Sequence, residues 1–167
     1  MLEIDIDADE EWDSSGSWDE LVRRAAEAAI AESAFPQLAT GDRPVELSVR
    51  LTGDNQVREL NAEWRGKDRP TNVLSFPLAE TRDLQDANVV GPELLLGDII
   101  LARGVCESEA RGKGVSVDDH AAHLIIHGTL HLLGYDHHDD DEATDMERRE
   151  IRALHRLGIA NPYEEAA

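Results

Sequence analysis

Residues 118–137 read DDHAAHLIIHGTLHLLGYDH. From Asp118 to Leu133 the pattern is strongly helical, and Gly134 stands where a left-handed residue closes a helix. His127 and His131 are one helical turn apart, about 6 Å along the axis, so both imidazoles leave the same face. Gly134 lets the chain reverse, and a third histidine, His137 or His138, can then approach the same point from outside the helix. Three neutral imidazoles suit Zn²⁺ and leave a fourth position open for water or substrate, which implies catalysis more than scaffolding.

His137 is preferred over His138 because its spacing from His131 across Gly134 reproduces the HExxHxxGxxH layout of the metzincin peptidases. The match stops at the second residue. Where those peptidases carry a general-base glutamate, this chain has Gly128, which has no side chain to move a proton, so peptide hydrolysis by that route is not expected. His123, one turn before His127, reads as a structural or supporting residue, since one helix face rarely supplies three ligands to one ion. His120 and His155 read as surface or interface residues. Asp136 has two readings: it orients a ligand imidazole, or it caps the chain reversal.

Outward from this stretch, strands and helices are mixed and predict an α+β fold. One domain carries a small mixed sheet of about four strands packed against several helices, with the metal site on a helix of the C-terminal half. Leu2, Ile4 and Ile6 alternate with acidic residues as a half-buried strand. Ser17 and Glu20 form a capping-box pattern ahead of a helix from Trp18 to Ala34, stopped by Pro36. A second strand carries Val45, Leu47, Val49 and Leu51. Asp54 is placed as N-cap of a helix turning Val57, Leu60, Ala62 and Trp64 to the core and ending near Arg65. Asn72–Phe76 is a third strand, 78–93 a long flexible loop suited to covering a site, and Leu94–Ala102 a strand covered on both faces. The last helix runs from about Asp139 to Leu157, opened by an acidic run that complements its positive end.

The chain has 167 residues, 41% of them hydrophobic and 31% charged, enough for one domain with one core. No apolar run approaches the ~20 residues of a membrane span, and the acidic N-terminus lacks the features of a secretory signal, so a cytoplasmic protein is expected. Cys106 is the single cysteine and reads as a buried small hydrophobe in a reducing compartment. A formal charge of −20 excludes nonspecific coating of nucleic acid, so any RNA contact must be local.

The stretch His127–His137 follows the HGxLHLxGYDH motif of the YbeY family without a departure, and the chain resembles that family elsewhere too. Asn61, Trp64-Arg65-Gly66-Lys67-Asp68, Pro70-Thr71-Asn72-Val73-Leu74-Ser75-Phe76-Pro77 and Leu96-Gly97-Asp98-Ile99 are similar to its other blocks. The resemblance implies a metal-dependent, single-strand-specific bacterial endoribonuclease of rRNA maturation, acting at the 16S rRNA 3′ end and in ribosome quality control. It implies one Zn²⁺ per chain on His127, His131 and His137, with Arg65 as the functional arginine beside the metal. Arg58, Arg65, Lys67 and Arg69 form a basic cluster in an acidic chain, and a guanidinium grips phosphate through paired hydrogen bonds. Cleavage would combine metal polarisation of a phosphate oxygen, or acidification of a bound water, with charge stabilisation by Arg65. Asp98 and Ser75 are candidates for shaping the site. Implied partners are single-stranded RNA and rRNA, the small ribosomal subunit, a ribosomal protein and an assembly GTPase. The competing readings are a noncatalytic ribosome-assembly factor with a structural zinc and a hydrolase of some small molecule or peptide.

Overall fold

The computed structural model describes residues 1–12, 18–85 and 91–163. The alternation of the first strand sets the two faces of the sheet: β1 (Leu2–Ala8) turns Leu2, Ile4 and Ile6 toward the core and leaves Glu3, Asp5 and Asp7 exposed. It pairs in parallel with β2 (Val45–Thr52), β2 pairs in parallel with β4 (Leu94–Ala102), and β3 (Val73–Pro77) closes the other edge antiparallel to β4. The order is β1-β2-β4-β3, the small mixed sheet expected.

Between β1 and β2 the chain forms a 3-10 turn at Glu10–Trp12, then α1 (Trp18–Ala31) and the short α2 (Gln37–Thr40). Trp12 is fully buried, donates Nε1–H to Thr52 O at 2.8 Å and stacks edge-on with Trp18 at 5.0 Å. Helix α1 stops before Ala34 because the Ser33 hydroxyl donates to Ile30 O at 2.7 Å and accepts from Phe35 N at 3.0 Å. The capping box read at Ser17 lies outside the described residues.

Helix α3 (Asp54–Arg65) ends as expected, at Gly66 with φ 68°. Its start differs. Gly53 holds the N-cap position, and the Asp54 carboxylate instead accepts from Val105 N at 3.1 Å, capping the later helix α5 (Arg103–Lys113) from outside. Of the residues expected to face the core, Val57 is buried, Leu60 and Ala62 are half-buried, and Trp64 is 66% exposed. The end of α3 stands off the sheet: Trp64 lines, together with Ser48, Arg50, Phe76 and Asp98 of the strands, a cleft of about 370 Å³, and its ring stays open to solvent. The segment 78–93 is not a featureless loop either: α4 (Thr81–Gln85) forms in it and buries Leu84 at 1% exposure.

Helix α6 (Val117–Leu132) begins at Ser116, whose Oγ accepts from Asp119 N at 3.1 Å, and it packs on α1, α5, α7 (Asp140–Arg156), β3 and β4. At α7 the acidic run does what its position predicts, with Asp139 as N-cap accepting from Glu142 N at 2.8 Å. Cys106 is fully buried, and burial pushes its thiol up to about 12.

Strand β4 carries one residue more than β2 where the register steps from Glu46↔Leu95 to Leu47↔Gly97. Gly97 has φ 140°, and a Cβ there would stand 2.3 Å from Phe76 O and 2.8 Å from Leu132 Cδ2. Both conformation and space require glycine. Gly97→Ala is expected to cost about 2–4 kcal/mol, read as a lowered urea midpoint. A midpoint equal to the parent's would contradict this packing.

Candidate metal centre

The three histidines singled out by spacing come together. His127 and His131 leave α6 on one side, and the chain reversal at Gly134, φ 93°, brings back His137, so that one ring nitrogen of each lies within 4.8 Å of the others. The ring centroids of His127 and His131 are 4.5 Å apart, and His137 lies 6.1 Å and 5.5 Å from them. His138 does not join: its Nε2 bonds Asp136 Oδ2 at 2.8 Å and its side chain is 81% exposed.

Hydrogen bonding decides which nitrogens are offered. His131 Nδ1–H donates to Tyr135 O at 2.9 Å, and His127 Nδ1–H donates to Glu150 Oε1 at 2.5 Å. Both partners only accept, so each neutral ring carries its lone pair on Nε2. The two Nε2 atoms face one another at 3.0 Å, near the roughly 3.3 Å separating two nitrogens bound to one tetrahedral zinc. Two lone pairs held face to face repel unless a cation lies between or beside them. The donor set therefore fits a metal. Burial, then the neighbouring His127, lowers the His131 pKa, which favours the neutral ligand form.

Glu150 escaped the sequence reading. It is 1% exposed and receives Tyr163 OH on Oε2 at 2.5 Å as well as His127 on Oε1. Burial alone would raise its pKa, but the His123 ring 3.6 Å away, the hydrogen bond and charge interaction with His127 and the bond from Tyr163 outweigh it and hold the carboxyl down at about 2. The available signal was its place on the buried stripe of α7, Met146-Glu150-Ala153-Leu154, where a carboxylate needs partners. His123 is buried beside it, with Nε2 3.3 Å from Tyr163 OH. His120 is buried too, bonded to Glu109 at 2.9 Å, which corrects its reading as a surface residue. Asp136 caps the reversal by accepting from His137 N at 2.8 Å.

Arg65 lines the same cleft of about 710 Å³ as His127, His131 and His137. Its Nη2 donates to Ser75 O at 2.8 Å, and its guanidinium lies 5.6 Å from the Phe76 ring centre, which aims an otherwise exposed side chain. A second groove of about 450 Å³ shares Arg65 and adds Lys67 and Arg69. Arg58, by contrast, is tied to Asp68 by two bonds of 2.7 and 3.1 Å. Ser75 lines the cleft, whereas Asp98 borders the cavity under Trp64 on the other face of the sheet. A Cβ on Gly128 would stand 3.0 Å from Ile99 Cγ2 and 3.2 Å from Ser75 Oγ, so a glutamate at this position has no room.

Residues 4–158 match the family profile of endoribonuclease YbeY. The chain is 49% identical to the endoribonuclease YbeY of Sphingopyxis alaskensis over 164 residues, covering 98% of each chain. It is 47% identical to that of Zymomonas mobilis, covering 98% of this chain and 93% of the relative. The solution structure of TM1509 from Thermotoga maritima shares the fold, with a TM-score of 0.54 at 23% identity over 99% of this chain and 100% of that one. On the profile and on these identities, the chain belongs to the endoribonuclease YbeY family.

Proposed function

We propose that this chain is a zinc-dependent endoribonuclease that cleaves single-stranded RNA in rRNA maturation, at the 16S rRNA 3′ end, and in ribosome quality control. The observation that carries the reading is the facing pair of Nε2 lone pairs, joined by His137, in a cleft whose wall carries Arg65. His127, His131 and His137 would hold the ion. When bound, it supplies Lewis-acid polarisation of a phosphodiester oxygen.

The rest is the work of the chain's own residues. Arg65, braced by Ser75 O, presents its remaining N–H groups to the phosphate and stabilises charge developing at phosphorus. Lys67 and Arg69 extend the positive surface along the adjoining groove, where a flanking phosphate would lie. Asp136 is the one carboxylate lining the cleft among the described residues, and its bonds to His137 N and His138 occupy it, so no side chain is assigned as general base. A net charge of −20 around this local positive patch suits a cytoplasmic partner set of basic ribosomal protein, small subunit and assembly GTPase.

Elemental analysis of purified protein is expected to find about one zinc per chain, lost on His127→Ala, His131→Ala or His137→Ala and kept in His138→Ala and His155→Ala. Metal lost with His138 and kept without His137 would reverse the assignment of the third ligand.

Arg65→Ala is expected to slow cleavage of a single-stranded RNA by roughly 10²- to 10³-fold with zinc content at the parent level, and Arg65→Lys to restore only part of the rate. If folded Arg65→Ala protein cleaves within a few-fold of the parent, the phosphate role fails and the noncatalytic assembly factor becomes the better reading.

Affinity for an RNA oligonucleotide should fall steeply as salt rises, because a few local cations make the contact. A flat plot of log affinity against log salt would remove the basic groove from the RNA path.

A further inference from the structure

The buried carboxylate behind His127 is itself held by a residue from the segment that follows α7. Tyr163 stands at the end of the described chain and is 43% exposed as a residue, yet its hydroxyl reaches inward to donate to Glu150 Oε2 at 2.5 Å. Glu150 Oε1 receives the Nδ1–H of His127 at 2.5 Å. The Tyr163 oxygen in turn accepts from His123 Nε2–H at 3.3 Å, and the two rings meet edge to face at 5.6 Å. His123 Nδ1, buried and without a hydrogen-bond partner among the described residues, then carries the lone pair. The donors thus converge on the Glu150 carboxylate from both sides, His123 through Tyr163 on one and His127 on the other.

We propose that Glu150 and Tyr163 are positioning residues for metal binding, the carboxylate aiming the imidazole of His127 and the tyrosine locking the carboxylate, so that the segment after α7 belongs to the metal centre. The inference rests on the reading of the three histidines as ligands. A carboxylate hydrogen-bonded to the far nitrogen of a ligand imidazole fixes its tautomer and orientation and raises its basicity. The Asn161 side chain accepts from Tyr163 N at 2.8 Å, which turns the chain so that the ring faces α6 and α7. A buried carboxylate with one oxygen released would lose its alignment with His127, because among the described residues only Tyr163 donates a hydrogen bond to Oε2.

Zinc affinity, measured by competition with a chromogenic chelator on full-length, metal-stripped protein, tests this without reference to cleavage. Glu150→Gln, which keeps the shape and removes the charge, is expected to weaken zinc binding 10- to 100-fold. Tyr163→Phe removes one oxygen from a half-exposed residue and leaves the fold intact, and it is expected to weaken binding about three- to tenfold. In the double variant the tyrosine change should add nothing to Glu150→Gln, because Tyr163 acts through Glu150. Parent-level affinity in folded Tyr163→Phe, or a fully additive loss in the double variant, would overturn the proposal. Failure of the parent itself to bind zinc, or retention of zinc by His127→Ala, would instead overturn the ligand assignment on which it stands.

Discussion

Helix α6 lies directly against β3 and β4, and Gly128, which has no side chain, gives it the room to do so. The position a Cβ would occupy is 3.0 Å from one atom of Ile99 and 3.2 Å from the Ser75 hydroxyl. That contact sets the distance between two elements with different cargo. On the helix ride His127 and His131, and on the strand sits Ser75, whose carbonyl steers Arg65. Packed interiors transmit such spacing with little slack, so one absent methyl registers the imidazoles against the guanidinium.

The site is also an exercise in keeping charges apart in a chain that carries 36 acidic residues. Asp68 occupies Arg58, while the guanidinium of Arg65 is held by a neutral carbonyl and by the Phe76 ring, so its charge stays available to the cleft. Glu150 sits at the opposite extreme, ionised in the interior. Its desolvation is offset by the hydrogen bonds converging on its two oxygens, and removing any of them leaves a buried charge partly uncompensated.

Much of this was legible in residue order because the governing interactions are local. The spacing of His127 and His131, the reversal at Gly134 and the end of α3 at Gly66 follow from helix period and left-handed glycine alone. Strands β1 and β2 were legible from apolar side chains at every second position, β4 from one apolar run, and β3 from the turn before it and the proline at its end. What escaped depends on partners distant in sequence. Helix α5 offers few core residues, Cys106 and Ala110 fully buried, and takes its cap from Asp54, about fifty residues earlier, so no local pattern announces it. Trp64 looked like core by period, but an open cleft separates the end of α3 from the strands beneath, and the ring stays exposed. Glu150 was hidden among the many charges of α7, where only its place on the apolar stripe distinguishes it.

Cys106 bears on which ions the protein can hold. Thiolate is the softest donor a protein offers, and one within reach of an incoming ion competes with imidazole and draws copper(I) and other soft metals. Here the chain's single sulfhydryl is sealed in the core, and its pKa of about 12 keeps it protonated at any cellular pH. The folded molecule therefore presents an approaching metal with nitrogen and oxygen donors and no thiolate. For the zinc site proposed above, selectivity for a borderline ion would then rest as much on where the sulfur was put as on where the three histidines stand.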